Sequence, residues 1–396
     1  MVPRTDRAPE RRRIYLDCNA TTPLRAEVLA AMEPYFSDLY ANPSSAHSLG
    51  SRARTAVEEA RETVAQILGV KRSEIVFTSG GTESNHLALL GAAAALDPGV
   101  ILSTPIEHSS VLRALDYLAD QGWDVRNVEL LPDGRVDLEQ MERQLEPNVQ
   151  LVSVGWANNE IGTLQPVAEI FALCETRGIL FHTDAVQVPG KLPFHRVPAH
   201  LMSLSGHKFG GPKGVGCLVV REGVLIRPLF RGGSQERGLR AGTENVPGIV
   251  GFAEALRIAA RSAERFVARV CPLRDRLWEH LRQIPGVQRH GAVGENVLAN
   301  TLMVTVDGVA ADALIAALDL EGICVSAGSA CAAGAAEPSH VLLALGIPVE
   351  RAQGSVRFSL SEDVTESEID FVAECFAKAV RRIRAAEETA RQGFTA

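Results

Sequence analysis

The chain has 396 residues, of which 46% are hydrophobic and 22% charged, and its formal net charge is −8. This composition predicts a large folded core and excludes a chain that is disordered throughout. The acidic balance argues against a direct nucleic-acid interface, and the longest apolar run, 87–96, is too short to span a membrane. We therefore expect a cytoplasmic protein of about two domains with no membrane attachment.

Strand-like and helix-like segments alternate in the first part of the chain. In chain order, the predicted elements are helix 52–68, strand 74–78, a helix beginning near Glu83, strand 100–103, helix 109–119, strand 151–154, helix 166–177 and strands 179–182, 201–204 and 216–220. This alternation predicts an α/β fold whose mostly parallel central sheet is covered by helices on both faces.

A second group of elements follows a long helix predicted at 246–281. It consists of strand 301–306, helix 312–320, strand 356–360 and helix 366–384. We place a boundary near residue 265, which gives a large domain, 15–265, and a smaller α/β domain, 266–396. The N-terminal arm, 1–14, carries a short arginine cluster and is expected to pack on the smaller domain.

Polar side chains follow several predicted strands. They are Thr82, His108, Asn159, Asp184 and Lys208. Ligands of parallel α/β sheets bind beyond the carboxyl ends of the strands. The shared location therefore indicates one ligand site at that edge of the sheet.

Two segments favour pyridoxal-phosphate (PLP) chemistry with a thiol nucleophile. Lys208 follows the apolar run 201–204, and a lysine there can hold an aldehyde cofactor as a Schiff base, although most lysines are solvated surface residues. Cys331 lies in a stretch of small residues, 325–336. A plain linker has no reason to hold a lone exposed thiol, so we interpret Cys331 as a nucleophile on a moving loop.

The remaining cysteines and the histidines indicate no metal centre. The seven cysteines are widely spaced without a C-x-x-C pair, and the ten histidines show no metal-ligand spacing. Neither a disulfide framework nor a resident metal site is expected.

Three candidates have competing interpretations when each is taken alone. The turn at Gly81 and Thr82 can cradle a phosphate or simply cap a helix, and alone the cap is favoured. Asp184 can pair with the PLP ring nitrogen or with a structural cation. His108 can stack on a ring or shuttle protons, but a lone histidine is more often structural.

Arg357 lies within the alternating strand-like segment 356–360. If it points inward it needs an anion, and the carboxylate of a substrate suits its forked guanidinium. The alternative is that it faces solvent.

Together these features resemble the cysteine desulfurases, in the NifS/IscS-like branch of the class V aminotransferase-like PLP enzymes. The matching segments are YLD (15–17), ATTP (20–23), NPSS (42–45) with His47, FTSGGTESN (77–85), EH (107–108), NNEIG (158–162), HTDAVQ (182–187), SGHK (205–208), GPKG (211–214), GGSQER (232–237), RAGT (240–243), GSAC (328–331) and VRFSL (356–360). The resemblance covers 15–383 and implies the PLP-dependent transferase fold type I.

The resemblance also implies a role for each matching residue. Lys208, His108 and Cys331 are the implied catalytic residues, and Arg357 with Asn159 binds the substrate carboxylate. The implied PLP contacts are Gly81 and Thr82 with Ser205 and His207 at the phosphate, Thr243 at the phosphate from the partner subunit of a homodimer, His108 on the ring, Asp184 at the ring nitrogen, Asn159 and Gln187 at the phenolic oxygen, and Lys208 at the aldehyde.

The implied reaction converts L-cysteine to L-alanine and leaves the sulfur as a persulfide on Cys331. The acceptor is an iron–sulfur scaffold protein or another sulfur carrier, and Cys331 could transiently touch a nascent iron–sulfur cluster. Three departures from the family pattern remove no catalytic group: Ala327 where serine is common, Ala332 and Ala333 where more polar residues are common, and Gly81 where alanine is common.

Two rival hypotheses stay open at this point. A selenocysteine lyase or an aminotransferase would share Lys208 but would not need Cys331 on its loop. A non-catalytic sulfur carrier or scaffold should have lost Lys208 or Cys331, and both are present.

Overall fold

A computed structural model describes residues 13–193, 198–328 and 338–393. The strands are β1 (Ile14–Tyr15), β2 (Ile75–Thr78), β3 (Val100–Ser103), β4 (Asp124–Asn127), β5 (Val149–Ser153), β6 (Leu180–Asp184), β7 (Leu201–Ser205), β8 (Gly216–Val220), β9 (Val287–His290), β10 (Thr301–Val306), β11 (Ile323–Cys324) and β12 (Ser355–Ser359). The α-helices are α1 (Ala26–Met32), α2 (Pro34–Ser37), α3 (Ser48–Leu68), α4 (Gly81–Ala93), α5 (Ser109–Asp120), α6 (Leu138–Gln144), α7 (Val167–Glu175), α8 (Val246–Leu281), α9 (Ala311–Leu320), α10 (His340–Ala344), α11 (Val349–Ala352) and α12 (Glu366–Gly393).

The described residues form two compact units. The large unit consists of the described part of Asn19–Val267 with Gly291–Ala299. The small unit consists of the described part of Met1–Cys18 with Ala268–His290 and the described part of Asn300–Ala396. Helix α8 contributes residues to both units. The domain boundary near residue 265 and the packing of residues 1–14 on the smaller domain stay predictions.

The described part of the large unit is built on a seven-stranded sheet in the order β2-β8-β7-β6-β5-β3-β4. Strand β8 runs antiparallel to both of its neighbours, and the other pairs are parallel. The predicted mostly parallel sheet is therefore confirmed. The polar edge strand β4, which has no buried residue, was not predicted because it lacks an apolar run.

Helices cover both faces of this sheet. Apolar side chains of α3, α7 and α8 share one buried cluster with one face of the strands, as shown by Val64, Ile170 and Phe252. Helices α4 and α5 bury Leu87 and Leu115 against the other face. Alternate residues of one strand enter opposite clusters, which is the period-two pattern of a strand buried on both sides.

The small unit contains an antiparallel sheet in the order β12-β10-β9 and a parallel pair, β1 with β11. Helices α9 and α12 lie against each other, and the Phe358 ring packs on the Phe376 ring with 5.8 Å between centroids. The predicted smaller α/β group is thus present. No helix in the described part of the chain combines the length and apolarity needed to cross a membrane.

Candidate active site

The carboxyl ends of the parallel strands hold the predicted site residues of the large unit. Asp184 is the last residue of β6, and Lys208 lies in a short 3₁₀ turn, Gly206–Lys208, directly after β7. His108 caps the amino end of α5, and Gly81 is the first residue of α4. Because these strands run parallel, the four positions share one edge of the sheet, as the sequence predicted.

Lys208 is held by a loop that carried no catalytic signal in the sequence. Its Nζ donates to the backbone carbonyl of Asn19 at 2.7 Å and to that of Ala20 at 2.9 Å. The Asn19 carbonyl also accepts a hydrogen bond from Gln187 Nε2 at 2.9 Å, and Asn19 Nδ2 donates to the Asn159 carbonyl at 3.1 Å. Asn19 therefore joins three predicted site residues.

A chain of hydrogen bonds connects Asp184 to His108. Asn85 Nδ2 donates to Asp184 Oδ2 at 2.7 Å and to Ser110 Oγ at 2.9 Å, and Ser110 Oγ lies 2.8 Å from His108 Nδ1. The backbone N–H of Val186 donates to the other oxygen of Asp184 at 2.9 Å. Asn85 and Ser110 thus fix the Asp184 carboxylate, a function that no local sequence pattern revealed.

The contacts of His108 determine its tautomer. The backbone N–H of Ser110 donates to His108 Nδ1 at 3.1 Å, so this nitrogen is an acceptor. A neutral imidazole has one acceptor and one donor nitrogen. His108 in its neutral form therefore carries its proton on Nε2.

A space for an anion lies at the amino end of α4. Gly80 has φ +154°, and a Cβ added there would meet only Ser205 Oγ, at 3.7 Å. A Cβ added to Gly81 would come within 2.8 Å of Val186 Cγ2. The two glycines thus leave the first N–H groups of the helix open beside the Ser205 hydroxyl, and both favour a phosphate group.

His207 lies beside this space with its Nδ1 at 3.0 Å from Thr21 Oγ1. Burial, followed by the charges of Lys208, Lys213 and Lys191, lowers the pKa of His207 to about 4. At neutral pH the ring is therefore uncharged. It can hold an anion by hydrogen bonding, while the positive potential comes from the lysines.

Two further buried titratable groups surround Asp184. Burial raises the pKa of Glu107 to about 7, and the charge of Asp184 adds to this, although Thr104 Oγ1 and the Gly155 N–H donate to the carboxylate. Burial lowers the pKa of His182 to about 4, and its ring lies between hydroxyl groups of neighbouring strands. Burial therefore holds this histidine uncharged next to Asp184.

These residues fit the functional groups of PLP. Among the described residues, Asp184 has two neutral donors and no salt-bridge partner, and Asn85 Oδ1 is a buried oxygen without a hydrogen-bond partner. A carboxylate in that position suits a protonated ring nitrogen, the α4 terminus suits the phosphate, and Lys208 suits the aldehyde.

The remaining predicted site residues are Arg357, Thr82, Thr243 and Cys331. Arg357 is 1% exposed in the small unit, where its Nη2 donates to Asp17 Oδ1 at 2.7 Å, so the solvent-facing alternative is wrong. Thr82 and Thr243 are exposed in the single chain. Cys331 lies outside the described residues.

Comparison with known proteins places the chain in a family. Residues 14–372 match the family described as Aminotransferase class-V. The chain belongs to the class-V aminotransferase family. This membership confirms the predicted family, its α/β fold class and the PLP cofactor on which its enzymes depend.

Several members of this class-V family are similar to this protein over nearly its whole length. A cysteine desulfurase of Trichormus azollae is 44% identical over 376 residues, which is 94% of each protein. The cysteine desulfurase NifS of Azotobacter vinelandii is 44% identical over 366 residues, 91% of this chain and 90% of its own length. A solved NifS-like protein has a TM-score of 0.87 at 39% identity and covers 93% of this chain and 100% of its own.

Proposed function

We propose that this protein is a PLP-dependent cysteine desulfurase, which converts L-cysteine to L-alanine and holds the released sulfur as a persulfide on Cys331. One observation carries the proposal: a site that fits PLP lies in a chain that is 44% identical to a cysteine desulfurase over 94% of both proteins. The cysteine desulfurases to which the chain is similar confirm the enzyme class predicted from the sequence.

The proposed cofactor contacts follow the geometry of the large unit. Asp184 would bind the ring nitrogen, and Gln187 and Asn159 would bind the phenolic oxygen. Gly81, Thr82, Ser205 and His207 would hold the phosphate, together with Thr243 from the partner subunit of a homodimer. When bound, PLP supplies an electron sink that weakens bonds in the amino-acid substrate.

Lys208 and His108 are the proposed proton carriers. Lys208 Nζ donates to the Asn19 and Ala20 carbonyls, which hold it in one position. His108 accepts at Nδ1 from Ser110 and presents its proton on Nε2. Two carriers with fixed donor atoms suit a reaction in which protons move between neighbouring atoms of one substrate.

Arg357 is the proposed anchor of the substrate carboxylate, together with Asn159. The contact with Asp17 uses one guanidinium nitrogen and fixes the plane of the group. A forked guanidinium matches the two oxygens of a substrate carboxylate, which supports this assignment.

The transfer of sulfur from L-cysteine to Cys331 requires no added oxidant. The C–S bond of L-cysteine breaks, an S–S bond forms with the Cys331 sulfur, and the carbon takes up a proton to become the methyl group of alanine. The products are one L-alanine and one Cys331 persulfide. An acceptor, either an iron–sulfur scaffold protein or another sulfur carrier, then takes the sulfur in the cytoplasm.

The test compares the wild-type enzyme with Cys331→Ala and Cys324→Ala. Cys324 is the matched control because it is a half-buried thiol close in sequence that has no role in the proposal. We expect Cys331→Ala to keep the visible absorbance band of bound PLP and to lose alanine and persulfide formation, while Cys324→Ala keeps both. Wild-type alanine output from Cys331→Ala would overturn the proposal, as would amino transfer to a keto acid without sulfide.

A further inference from the structure

A second lysine, Lys191, is buried beside the proposed cofactor contacts. It is 5% exposed, and its Nζ donates to Asn19 Oδ1 at 3.0 Å and to Gln187 Oε1. Burial of an ammonium group is costly unless it is hydrogen-bonded. A shorter or neutral side chain at this position would not make the same charged hydrogen bonds to Asn19 and Gln187.

Lys191 determines how the Gln187 amide is oriented. An ammonium group only donates, so the Gln187 atom facing it has to be the oxygen. The nitrogen then points away from Lys191, and Gln187 Nε2 donates to the Asn19 carbonyl at 2.9 Å. Gln187 Nε2 has a second hydrogen, which remains available for a ligand.

The same logic applies to Asn19. Its Oδ1 faces Lys191, so its Nδ2 points the other way and donates to the Asn159 carbonyl at 3.1 Å. The Asn19 backbone carbonyl meanwhile accepts from Lys208 at 2.7 Å. One ammonium group thus fixes two side-chain amides. One belongs to Gln187, a proposed partner of the phenolic oxygen, and the other, that of Asn19, donates to the backbone of the second proposed partner, Asn159.

We propose that Lys191 is a positioning residue of the PLP site: it holds Gln187 with its amide nitrogen toward the phenolic oxygen, and it holds the side chain of Asn19, whose backbone carbonyl contacts Lys208. This inference rests on the proposed function, because it assigns Gln187 the contact given above. Lys191 acts through Gln187 and Asn19 and is not itself a catalytic residue.

The positioning role has a spectroscopic signature. A hydrogen-bond donor reduces the negative charge on the phenolic oxygen. Without that donor the oxygen is more negative, and this raises the pKa of the nitrogen that joins Lys208 to the cofactor. In Lys191→Met the Gln187 amide is free to rotate. We expect the pH midpoint of the visible band to rise by about one unit, and the Kd for PLP to rise several-fold.

A double-mutant cycle separates positioning from the loss of a nearby charge. Gln187→Leu alone should raise the midpoint by a similar amount. Adding Lys191→Met to it should cause no further rise, because the amide through which Lys191 acts on the phenolic oxygen is gone. A charge effect through space would instead add to the effect of Gln187→Leu. Lys213→Met is the matched control, since it removes another charge near His207 without touching Gln187, and its midpoint should change by less than about 0.3 units.

Each outcome decides the inference. Equal midpoints in wild type and Lys191→Met, or additive shifts in the double variant, overturn it while the wild type still forms alanine. A wild type without a titrating band overturns the proposed function and this inference with it. Should Lys191→Met fail to fold, Lys191→Gln replaces it in the cycle, because its neutral amide can face Gln187 with either atom and the same absence of a further shift is expected.

Discussion

The buried ion pair between Arg61 and Glu236 offers the sharpest test of how the large unit is held together. Arg61 Nη1 and Nη2 donate to the two Glu236 carboxylate oxygens at 2.8 Å each, and the Arg61 guanidinium lies 4.9 Å from the centroid of the Phe77 ring. Glu236 and Arg237 have φ angles of 46° and 57°, a region that costs free energy for residues other than glycine. The pair therefore connects α3 to a strained segment that leads to Thr243.

Replacing Arg61 by Met leaves the Glu236 carboxylate buried without its charge partner. The Glu236 side chain is 3% exposed, so water cannot replace the guanidinium. Breaking a buried pair from one side costs roughly 3–5 kcal/mol, whereas removing both charges with apolar residues is far less costly. We expect Arg61→Met to lower the free energy of unfolding by that amount and Arg61→Met with Glu236→Met to recover at least about 1–2 kcal/mol of it.

Urea unfolding of the cofactor-free protein, followed by tryptophan fluorescence, measures these differences. Trp123 and Trp156 lie in the large unit and Trp278 lies in the small unit. A Trp278→Phe background in every protein compared therefore leaves a signal from the unit that contains the ion pair. Arg113→Met is the control, because its pair with Asp116 is exposed on α5 and should contribute less than about 1 kcal/mol. An Arg61→Met loss no greater than that of Arg113→Met would refute the reasoning.

Two further predictions concern groups around Asp184. Asn85→Leu removes the donor to Asp184 Oδ2. We expect the variant to fold and its Kd for PLP to be roughly 5–100-fold higher. Titration of the cofactor-free variant with PLP measures this Kd. The pKa of His182 is about 4 in the folded chain and 6.5 in the unfolded chain, so the unfolded chain takes up a proton first as the pH falls. The free energy of unfolding therefore falls as the pH drops from 6.5 to 4, by about 2 kcal/mol between pH 7 and 4.5. Urea unfolding of His182→Asn should show a smaller fall over the same pH range.

Elements with a strong apolar pattern were predictable from the sequence. The strands β3, β7, β8 and β10 occupy the predicted positions because each is a run of buried apolar residues. Strand β9 was not predicted, because Val287–His290 has a polar, half-buried pattern and owes its conformation to pairing with β10.

The site was predictable only where chemistry and a strand end coincide. Lys208 and Asp184 carry a reactive or charged group directly at such an end, and their placement agrees with the prediction. Asn85 lies on a helix and reaches Asp184 across 99 residues of sequence, and Lys191 reaches Asn19 across 172. Contacts of this kind depend on how helices pack on the sheet. No local sequence pattern predicts the partner of Asn85 or of Lys191.

The charges of the large unit explain why this edge of the sheet suits an anionic cofactor. The pKa of His207 is held low by burial and by Lys208, Lys213 and Lys191, which shows that three positive charges act on one neutral ring. A bound phosphate brings negative charge to this group of lysines, so the three lysines attract the phosphate and stabilise the complex. Because a ligand that binds only the folded chain adds to its stability, the lysine cluster stabilises the folded protein most when the phosphate is in place.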